Sequence, residues 1–392
     1  MNILYILRHN PWGIGGGCYA TKCYLDAFTT LFAEAQFDVC VCEEYITSSN
    51  SPRKGENVNF VKVAQRGSKE KLLSLVTGLL HRFDSKVREL LKSKKYDYCI
   101  FDHNSIAGPL VGLCKMLGVR TIVINHNCEA EYYRDNYGWL HRMLFLRHVK
   151  RAEKKSYLGC DYNIFLTEED KVQFEDLYGK SKTQSIVTGC FETAKLYDTR
   201  CHENDTLRYE DGNGRLRLVI SGTIGNVQNM DGIQYVLDEL LEYVPKDAEV
   251  VIAGKNPPEV LINQIATINH QRKYAEVTLI PNPKDMMSVV NGCDIFVCPT
   301  RLGGGLKLRV MDGLRVGLPV IAHKVSARGY SEFTKQGYLW VFDGKSSFDK
   351  ALRDVIQKRN RDDLNRKTIQ DFAFKQFSFE NKVEMLKDIF RN

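Results

Sequence analysis

The sequence predicts an α/β protein built from two Rossmann-like domains, and three observations carry that reading. Short apolar runs alternate with longer stretches of helical periodicity along almost the whole chain. Alternation of this kind builds parallel sheets with helices on both faces. It stops once, across TRCHENDTLRYEDGNGR at 199–215, and then restarts. That stretch is polar and aperiodic, so it reads as a linker or an exposed hairpin. Finally, 392 residues exceed what one hydrophobic core usually organises. The expected first domain is 1–195 and the second 196–375. The helix over about 376–392 is expected to pack back on the first domain.

The elements follow in order. NILYIL (2–7), FDVCVC (37–42), VNFVKVA (58–64), YDYCIF (96–101), RTIVIN (120–125) and YNIFL (162–166) are the strands expected in the first domain. RLRLVISG (215–222), AEVVIAG (248–254), EVTLIP (276–281), CDIFVCP (293–299) and LPVIAH (318–323) are those of the second. Helical patterns fill most of the intervals. The last stretch, 361–391, reads as two helices with an apolar stripe of Phe372, Phe374, Phe377, Phe379, Met385 and Ile389.

Composition narrows the function. Hydrophobic residues make up 43% and charged residues 26%, the balance of a soluble globular protein. No run approaches the ~20 apolar residues of a membrane helix. The N-terminal MNILYILRHNPW has no leading basic region and no small-residue cleavage site, so it reads as a buried strand and not a signal peptide. There are 12 cysteines. Cys40, Cys42, Cys99, Cys293 and Cys298 sit in apolar runs, where a free thiol behaves as a small hydrophobe. No CxxC pair or Cys/His cluster has zinc spacing, and Cys201–His202 is an isolated doublet in a polar loop. A reducing cytoplasm is the expected location.

The net charge of +7 is uneven. Residues 66–95 and 142–155 are basic with apolar residues at helical spacing. Each reads by itself as an amphipathic helix with a solvated cationic face. Two in one half of the chain point further, to contact with an anionic membrane surface, peripheral on the inner face. Nucleic acid is not expected, because no motif or aromatic platform accompanies the charge.

Ligands of doubly wound sheets sit beyond the carboxyl ends of the strands, so the loops there hold the candidate residues. After the first strand comes PWGIGGGCYA (11–20), with Gly16 and Gly17. A dinucleotide loop would need a third glycine where Cys18 stands, and the acidic Glu43 and Glu44 come late. FDHNSIAGP (101–109) places His103 at a strand end, and INHNCEAEYYRDN (124–136) offers His126, Asn127 and Glu129. Glu129 equally fits a helix cap. In the second half, SGTIGNVQNMDGIQYV (221–236) carries Gly222, Thr223 and Asn229. VIAGKNPP (251–258) carries Lys255, either a phosphate contact or a solvated turn residue, and IPNPKDM (280–286) carries Pro283.

The densest stretch is RLGGGLKLRVMDGLRVGLPVIA (301–322). Glycines 303–305 let a backbone approach a ligand. The expected helix, Leu306 to Val316 with Gly317 after its end, points its N-terminus at the same place, which suits an anion. Arg309 and Asp312 are three apart, hence on one face. Arg309 lies nearer a phosphate at the N-terminus, and Asp312 lies deeper, where a carboxylate accepts two sugar hydroxyls. The same residues also fit a Gly-rich turn with a surface Lys and Arg.

This stretch resembles the nucleotide-sugar site of GT-B glycosyltransferases, specifically a subgroup of the large retaining family four. GGGLKLRVMD is similar to that subgroup's Gly-Gly-Gly-Thr-Arg-Leu-Lys-Ile-Leu-Glu. Gly304 stands where the broader family has a first Glu, Lys307 and Arg309 match the subgroup's Arg and Lys, and Asp312 matches the second Glu. The loops already named extend the resemblance over most of the chain. It implies a GT-B fold with two parallel-sheet domains facing a cleft that closes during turnover. A nucleotide-diphosphate sugar would bind mainly to the second domain, through Gly222, Thr223, Asn229, Lys255, Pro283, Gly304, Gly305, Leu306 and Asp312, with Gly16 and Gly17 of the first domain near its diphosphate and sugar. The acceptor, a glycan or a lipid-linked sugar, would lie at His126, Asn127 and Glu129.

The implied reaction is hexosyl transfer with retention, by front-side displacement through an ion-pair-like state. Its catalytic residues would be His103, Lys307 and Arg309, and its setting cell-surface polysaccharide or glycoconjugate assembly. No DxD motif occurs, and cationic side chains can replace a metal, so neither a metal nor another cofactor is expected. A dehydrogenase lacks its fingerprint here. An epimerase or phosphorylase shares the fold. A catalytically weak scaffold partnering another transferase is kept open by Gly304 in place of Glu.

Overall fold

The computed structural model describes residues 1–13, 15–47, 57–64, 67–189, 191–192, 214–361 and 363–390. It divides into two compact units, Met1–Asp198 with Ser378–Asn392, and Thr199–Phe377. The expected boundary at 195/196, Cys201–His202 and the linker up to residue 213 lie outside the described residues.

The first unit is a seven-stranded parallel sheet in the order β3-β2-β1-β4-β5-β6-β7. Its strands are β1 (Asn2–Leu7), β2 (Gln36–Cys42), β3 (Val58–Val63), β4 (Tyr98–Asp102), β5 (Arg120–Asn125), β6 (Tyr162–Phe165) and β7 (Gln184–Val187). The central strands are buried almost end to end, as a sheet covered on both faces requires. Register places Ile6 between Cys40 and Phe101, and Leu7 beside Asp102. The helices are α1 (Gly16–Leu31), α2 (Ser68–Thr77), α3 (Asp84–Ser93), α4 (Asn104–Ala107), α5 (Val111–Met116), α6 (Glu129–Asn136), α7 (Trp139–Gly159) and α8 (Glu168–Tyr178).

The second unit is a six-stranded parallel sheet in the order β10-β9-β8-β11-β12-β13. Its strands are β8 (Arg217–Thr223), β9 (Glu249–Lys255), β10 (Glu276–Pro281), β11 (Ile295–Cys298), β12 (Val320–His323) and β13 (Leu339–Phe342). Its main helices are α9 (Val227–Tyr235), α10 (Glu259–Gln271), α11 (Met286–Asn291), α12 (Leu308–Arg315), α13 (Ser331–Lys335), α14 (Lys345–Asn360) and α15 (Arg366–Phe377). The last helix, α16 (Phe379–Phe390), belongs to the first unit. Phe390 holds it there, with its ring 5.1 Å from Phe32, 5.6 Å from Tyr98 and 5.2 Å from Tyr162.

Three expectations change. The basic segment 66–95 is two helices, not one. Gly78 ends the first at φ +70°, a left-handed cap that glycine adopts without strain. Its α-carbon also faces Phe145, where a β-carbon would lie 2.8 Å from the side chain. The segment 142–155 is the middle of the longer α7. The helix expected over 306–316 is the shorter α12, with Lys307 as its N-cap. Strands β7 and β13 were not anticipated, being four residues each at sheet edges.

Candidate functional site

In each unit the strand order reverses once: between β1 and β4 in the first, and between β8 and β11 in the second. The crevice at such a switch point is where doubly wound sheets bind ligands. The predicted residues follow the strands at these two places and beside them, with Lys255 at the end of β9 and Pro283 after the edge strand β10.

In the second unit the carboxyl edge of β8 carries Gly222 and Thr223. Arg309, from the first turn of α12, reaches across to it, and its Nη1 donates to Ser221 O at 2.9 Å. The guanidinium lies on the α-carbon of Gly222, at φ +140°, where a β-carbon would stand 2.0 Å from Cζ. Only glycine fits by space and by backbone conformation. Burial lowers the Arg309 pKa from its ordinary value.

The glycine loop is shaped by its own neighbours. Gly303 (φ +81°) and Gly305 (φ +69°) are left-handed. A β-carbon on Gly303 would meet the Gln228 amide at 2.4 Å. Lys307 Nζ donates back to Gly304 O at 3.0 Å, and Tyr330 Oη donates to Lys307 O at 3.0 Å. Gly304 and Leu306 are half-buried beside them. Asn229 Nδ2 donates to Thr223 O at 2.6 Å, tying α9 to the end of β8. Lys255 ends β9 with an exposed side chain, and its carbonyl accepts from Ile224 N at 2.8 Å. Pro283 follows Asn282, whose N–H donates to Gly254 O at 2.7 Å. The carboxylate of Asp312 takes a 3.4 Å contact from Arg315 Nη1.

The first unit's site is a polar cluster beneath a cavity of about 370 Å³ lined by Arg8, His9, Ser105, Glu129 and Tyr133 among others. His103 follows β4 at φ 156°, strained for a side chain of its size, and such strain clusters at functional sites. Its Nδ1 accepts from Ser105 N at 3.3 Å, which leaves the ring hydrogen on Nε2, 3.1 Å from Glu129 Oε1. Arg8 Nη1 stands 2.9 and 2.8 Å from the two ring nitrogens and 3.5 Å from Glu129. Burial, then the Arg8 charge, lowers the His103 pKa to about 3, so the imidazole is neutral at physiological pH. Burial works against ionisation of Glu129, but His103, Arg8 and Asn127 outweigh it and hold the carboxyl at about 2. His126 stacks on His103 at 5.5 Å, and its Nε2 is 2.8 Å from Asp102 Oδ1. Thr21, from α1, donates to the other Asp102 oxygen. His9 packs against both rings, and burial lowers its pKa to about 4. Its ring also lies over Gly17, where a β-carbon would be 3.0 Å away, so Gly17 and the exposed Gly16 begin α1 beside this cluster.

The sequence reading missed Arg8, Ser105 and Glu153. Arg8 directly follows β1, so the strand-end rule that selected His103 also covers it. Glu153, on α7, is 1% exposed, and nothing in the sequence brings it to this place. Burial raises its pKa to about 7.

Residues 217–358, within the second unit, match the family described as glycosyl transferases group 1. No curated protein matches the chain by sequence. Among solved structures, sucrose-phosphate synthase from Thermosynechococcus elongatus is similar at TM-score 0.69 and 15% identity, over 100% of this chain and 98% of that one. HepE from Anabaena in complex with UDP gives 0.68 and 14%, over 100% of both. WaaG, a glycosyltransferase involved in lipopolysaccharide biosynthesis, gives 0.65 and 15%, over 99% of both. Two parallel sheets of doubly wound order and these neighbours give the chain the α/β GT-B fold, and the matched segment supports a GT-B glycosyltransferase.

Proposed function

We propose that the chain transfers a hexosyl group from a nucleotide-diphosphate sugar to an acceptor hydroxyl with retention of configuration, in the assembly of a cell-surface polysaccharide or glycoconjugate. The observation that carries this reading is the second-unit site. There a glycine loop, the N-terminus of α12, Lys307 and Arg309 meet at the switch point, inside the segment that matches the transferase family. A departing diphosphate gathers negative charge. Preorganised N–H dipoles and two cations placed beforehand stabilise that charge without reorganising as it forms. They carry the role a divalent ion has elsewhere, so no metal is proposed. Asp312 accepts the ribose hydroxyls in this reading, with Gly222, Thr223, Asn229, Lys255, Pro283, Gly304, Gly305 and Leu306, and Gly16 and Gly17 of the first unit, forming the remainder of the donor site.

The first unit holds the acceptor, at His126, Asn127 and Glu129. The neutral His103, with its Nε2 hydrogen bound by Glu129, positions the sugar and makes no covalent bond to it. A retaining, front-side path is what the motif resemblance supports. The donor nucleotide to test first is UDP, since the neighbour HepE has been crystallised with UDP-glucose.

We also propose that the acceptor is lipid-linked and met at an anionic membrane face. The helix α2, whose Ser74 lines the cavity, and α7, whose Phe145 lies against Gly78, leave Leu72, Leu75, Val76, Trp139, Met143 and Leu144 exposed. Arg147, Lys150, Arg151, Lys154 and Lys155 stand exposed along α7. Such a face suits the headgroup boundary of an acidic bilayer. Among the described residues no helix is long and apolar enough to cross a membrane.

The test is a thermal-shift panel of UDP, GDP, ADP and their sugar conjugates, followed by calorimetry. A ligand at a hundredfold excess over its dissociation constant stabilises by ~2.7 kcal/mol, an easily read melting shift. Arg309→Ala and Asp312→Ala should each weaken the nucleotide that binds. Wild-type affinity in both variants would refute the donor assignment.

A further inference from the structure

Glu153 lies on α7, in the run RAEKK that reads as solvent-facing. Its side chain instead points inward. Oε1 accepts from Glu129 N at 2.7 Å and from Asn104 Nδ2 at 2.9 Å. Oε2 accepts from Tyr178 Oη at 2.6 Å and from Ala130 N at 3.3 Å, with Cys128 Sγ at 3.7 Å. The N-cap residue of α6, Cys128, makes no capping bond from its own side chain, so Glu153 caps that helix from another one. Asn104 follows His103 directly and opens α4, and its Nδ2 also donates to Asn127 O at 3.2 Å. One buried carboxylate therefore holds both segments that carry the His103–Glu129 pair.

We infer that Glu153 is a positioning residue: its carboxylate sets the separation of His103 and Glu129, and protonating it loosens that pair. The inference rests on the reading of the first-unit cluster as the acceptor site. The chemistry of the contacts supports it. Five donors face two oxygens. A proton added to the carboxyl removes an acceptor and supplies a sixth hydrogen, so a contact must break or turn. The Tyr178 hydroxyl can turn to accept the new proton, but the N–H groups of Glu129 and Ala130 belong to the backbone of α6 and cannot rotate away, and their bonds to a neutral carboxyl lose the charge that strengthened them. The change is felt at the start of α6, where Glu129 meets His103 at 3.1 Å.

The titratable groups around Glu153 agree with a proton being gained near neutral pH. Burial is the main cause that raises its carboxyl to about 7, and the negative Glu129 adds to it. The Tyr178 hydroxyl and the two backbone N–H groups work the other way. From α8, Asp170 acts with Glu153 and Glu131 to raise the Cys128 thiol, behind burial as the leading cause. Tyr178 itself is raised by burial and by Glu153. Lys154 and Lys155, its neighbours on α7, are exposed. Arg8 and His103 stand on the far side of Glu129.

The experiment uses the full chain with labelled histidine and follows the His103 imidazole resonance by NMR from pH 5.5 to 8.5, assigned against His103→Gln. His103 titrates near pH 3, outside the window, so its signal reports its surroundings. The expected result is an inflection near pH 7 in the wild type that is absent in Glu153→Gln. A flat wild-type signal, or the same inflection in Glu153→Gln, overturns the inference. Tyr178→Phe is the second variant, needed if Glu153→Gln does not fold. It removes a donor that favours the carboxylate, so the inflection should move to higher pH, and an unmoved inflection also overturns the inference. No substrate enters the experiment, so its result is independent of whether the chain transfers sugar.

Discussion

Gly222→Ala puts a methyl group where the Arg309 guanidinium already lies. The new β-carbon would stand 2.0 Å from Cζ, 2.2 Å from Nη1 and 2.4 Å from Nη2. Ordinary contact needs roughly 3.5 Å, so the guanidinium must leave. It then loses the 2.9 Å bond to Ser221 O, a hydrogen bond from a charged donor to a part-buried carbonyl, contributing about 1.5–3 kcal/mol. Holding alanine at φ +140° adds about 1–3 kcal/mol of strain. The variant should therefore lose about 2.5–6 kcal/mol, read as a lower urea midpoint, with nucleotide affinity falling as well. The decisive comparison is a double-mutant cycle with Arg309→Ala. Removing Arg309 already loses the Ser221 bond and clears the space, so in that background Gly222→Ala should cost the backbone strain alone. The two changes should thus fall short of additivity by about 1.5–3 kcal/mol. Full additivity would refute the claim that Arg309 rests on Gly222, and with it the account of why glycine stands there.

Other outcomes follow from the same geometry. The Glu153 carboxyl is raised from 4.5 to about 7 on folding, so the unfolded chain loses that proton first and stability falls as pH rises between those values, by ~3 kcal/mol at ~1.4 kcal/mol per unit. His9 and His103, lowered from 6.5 to about 4 and about 3, bind fewer protons folded than unfolded and act in the opposite sense. The quantity to measure is accordingly the stability of Glu153→Gln minus that of the wild type by urea titration, which should grow from pH 4.5 to 7; a constant difference would count against a raised carboxyl. His103→Ala should abolish transfer while leaving nucleotide affinity near wild type, since His103 is read as meeting the transferred sugar and not the nucleotide; a lost affinity in calorimetry would move it to the nucleotide site. Leu75→Glu and Met143→Glu should each weaken sedimentation with anionic vesicles about tenfold or more, from ~1.5 kcal/mol of apolar transfer lost per side chain, without a lower melting temperature because both are already exposed.

What could be read from the sequence depended on how locally each feature is encoded. The inner strands were legible because a sheet covered on both faces demands unbroken apolar runs, and NILYIL or RTIVIN can be little else. Strand β7 escaped because the four-residue edge QSIV buries too little to leave a run, whereas LWVF of β13 is an apolar run that the same rule reaches. The second-unit site was legible because its conformation is written in glycines: Gly222, Gly303 and Gly305 each occupy a backbone region that other residues avoid. What the sequence did not show there is that Arg309 is bound to β8 through Ser221, a partner 88 positions away. The first-unit site was half legible. His103, His126 and Glu129 each follow a strand within a few residues, so the strand-end rule finds them, and the same rule reaches Arg8 once applied to the residue directly after β1. Glu153 obeys no such rule. Among Glu129, Glu131 and Glu153, all charged residues at or within helices, only contacts made across 24 and 49 positions, to Glu129 and Asn104, mark the third as the one holding the site. A buried carboxylate that arranges other residues is therefore harder to read than one that meets a ligand. The ligand-facing groups gather where the topology opens the sheet, whereas the supporting group stands wherever packing brings its helix past the backs of those loops.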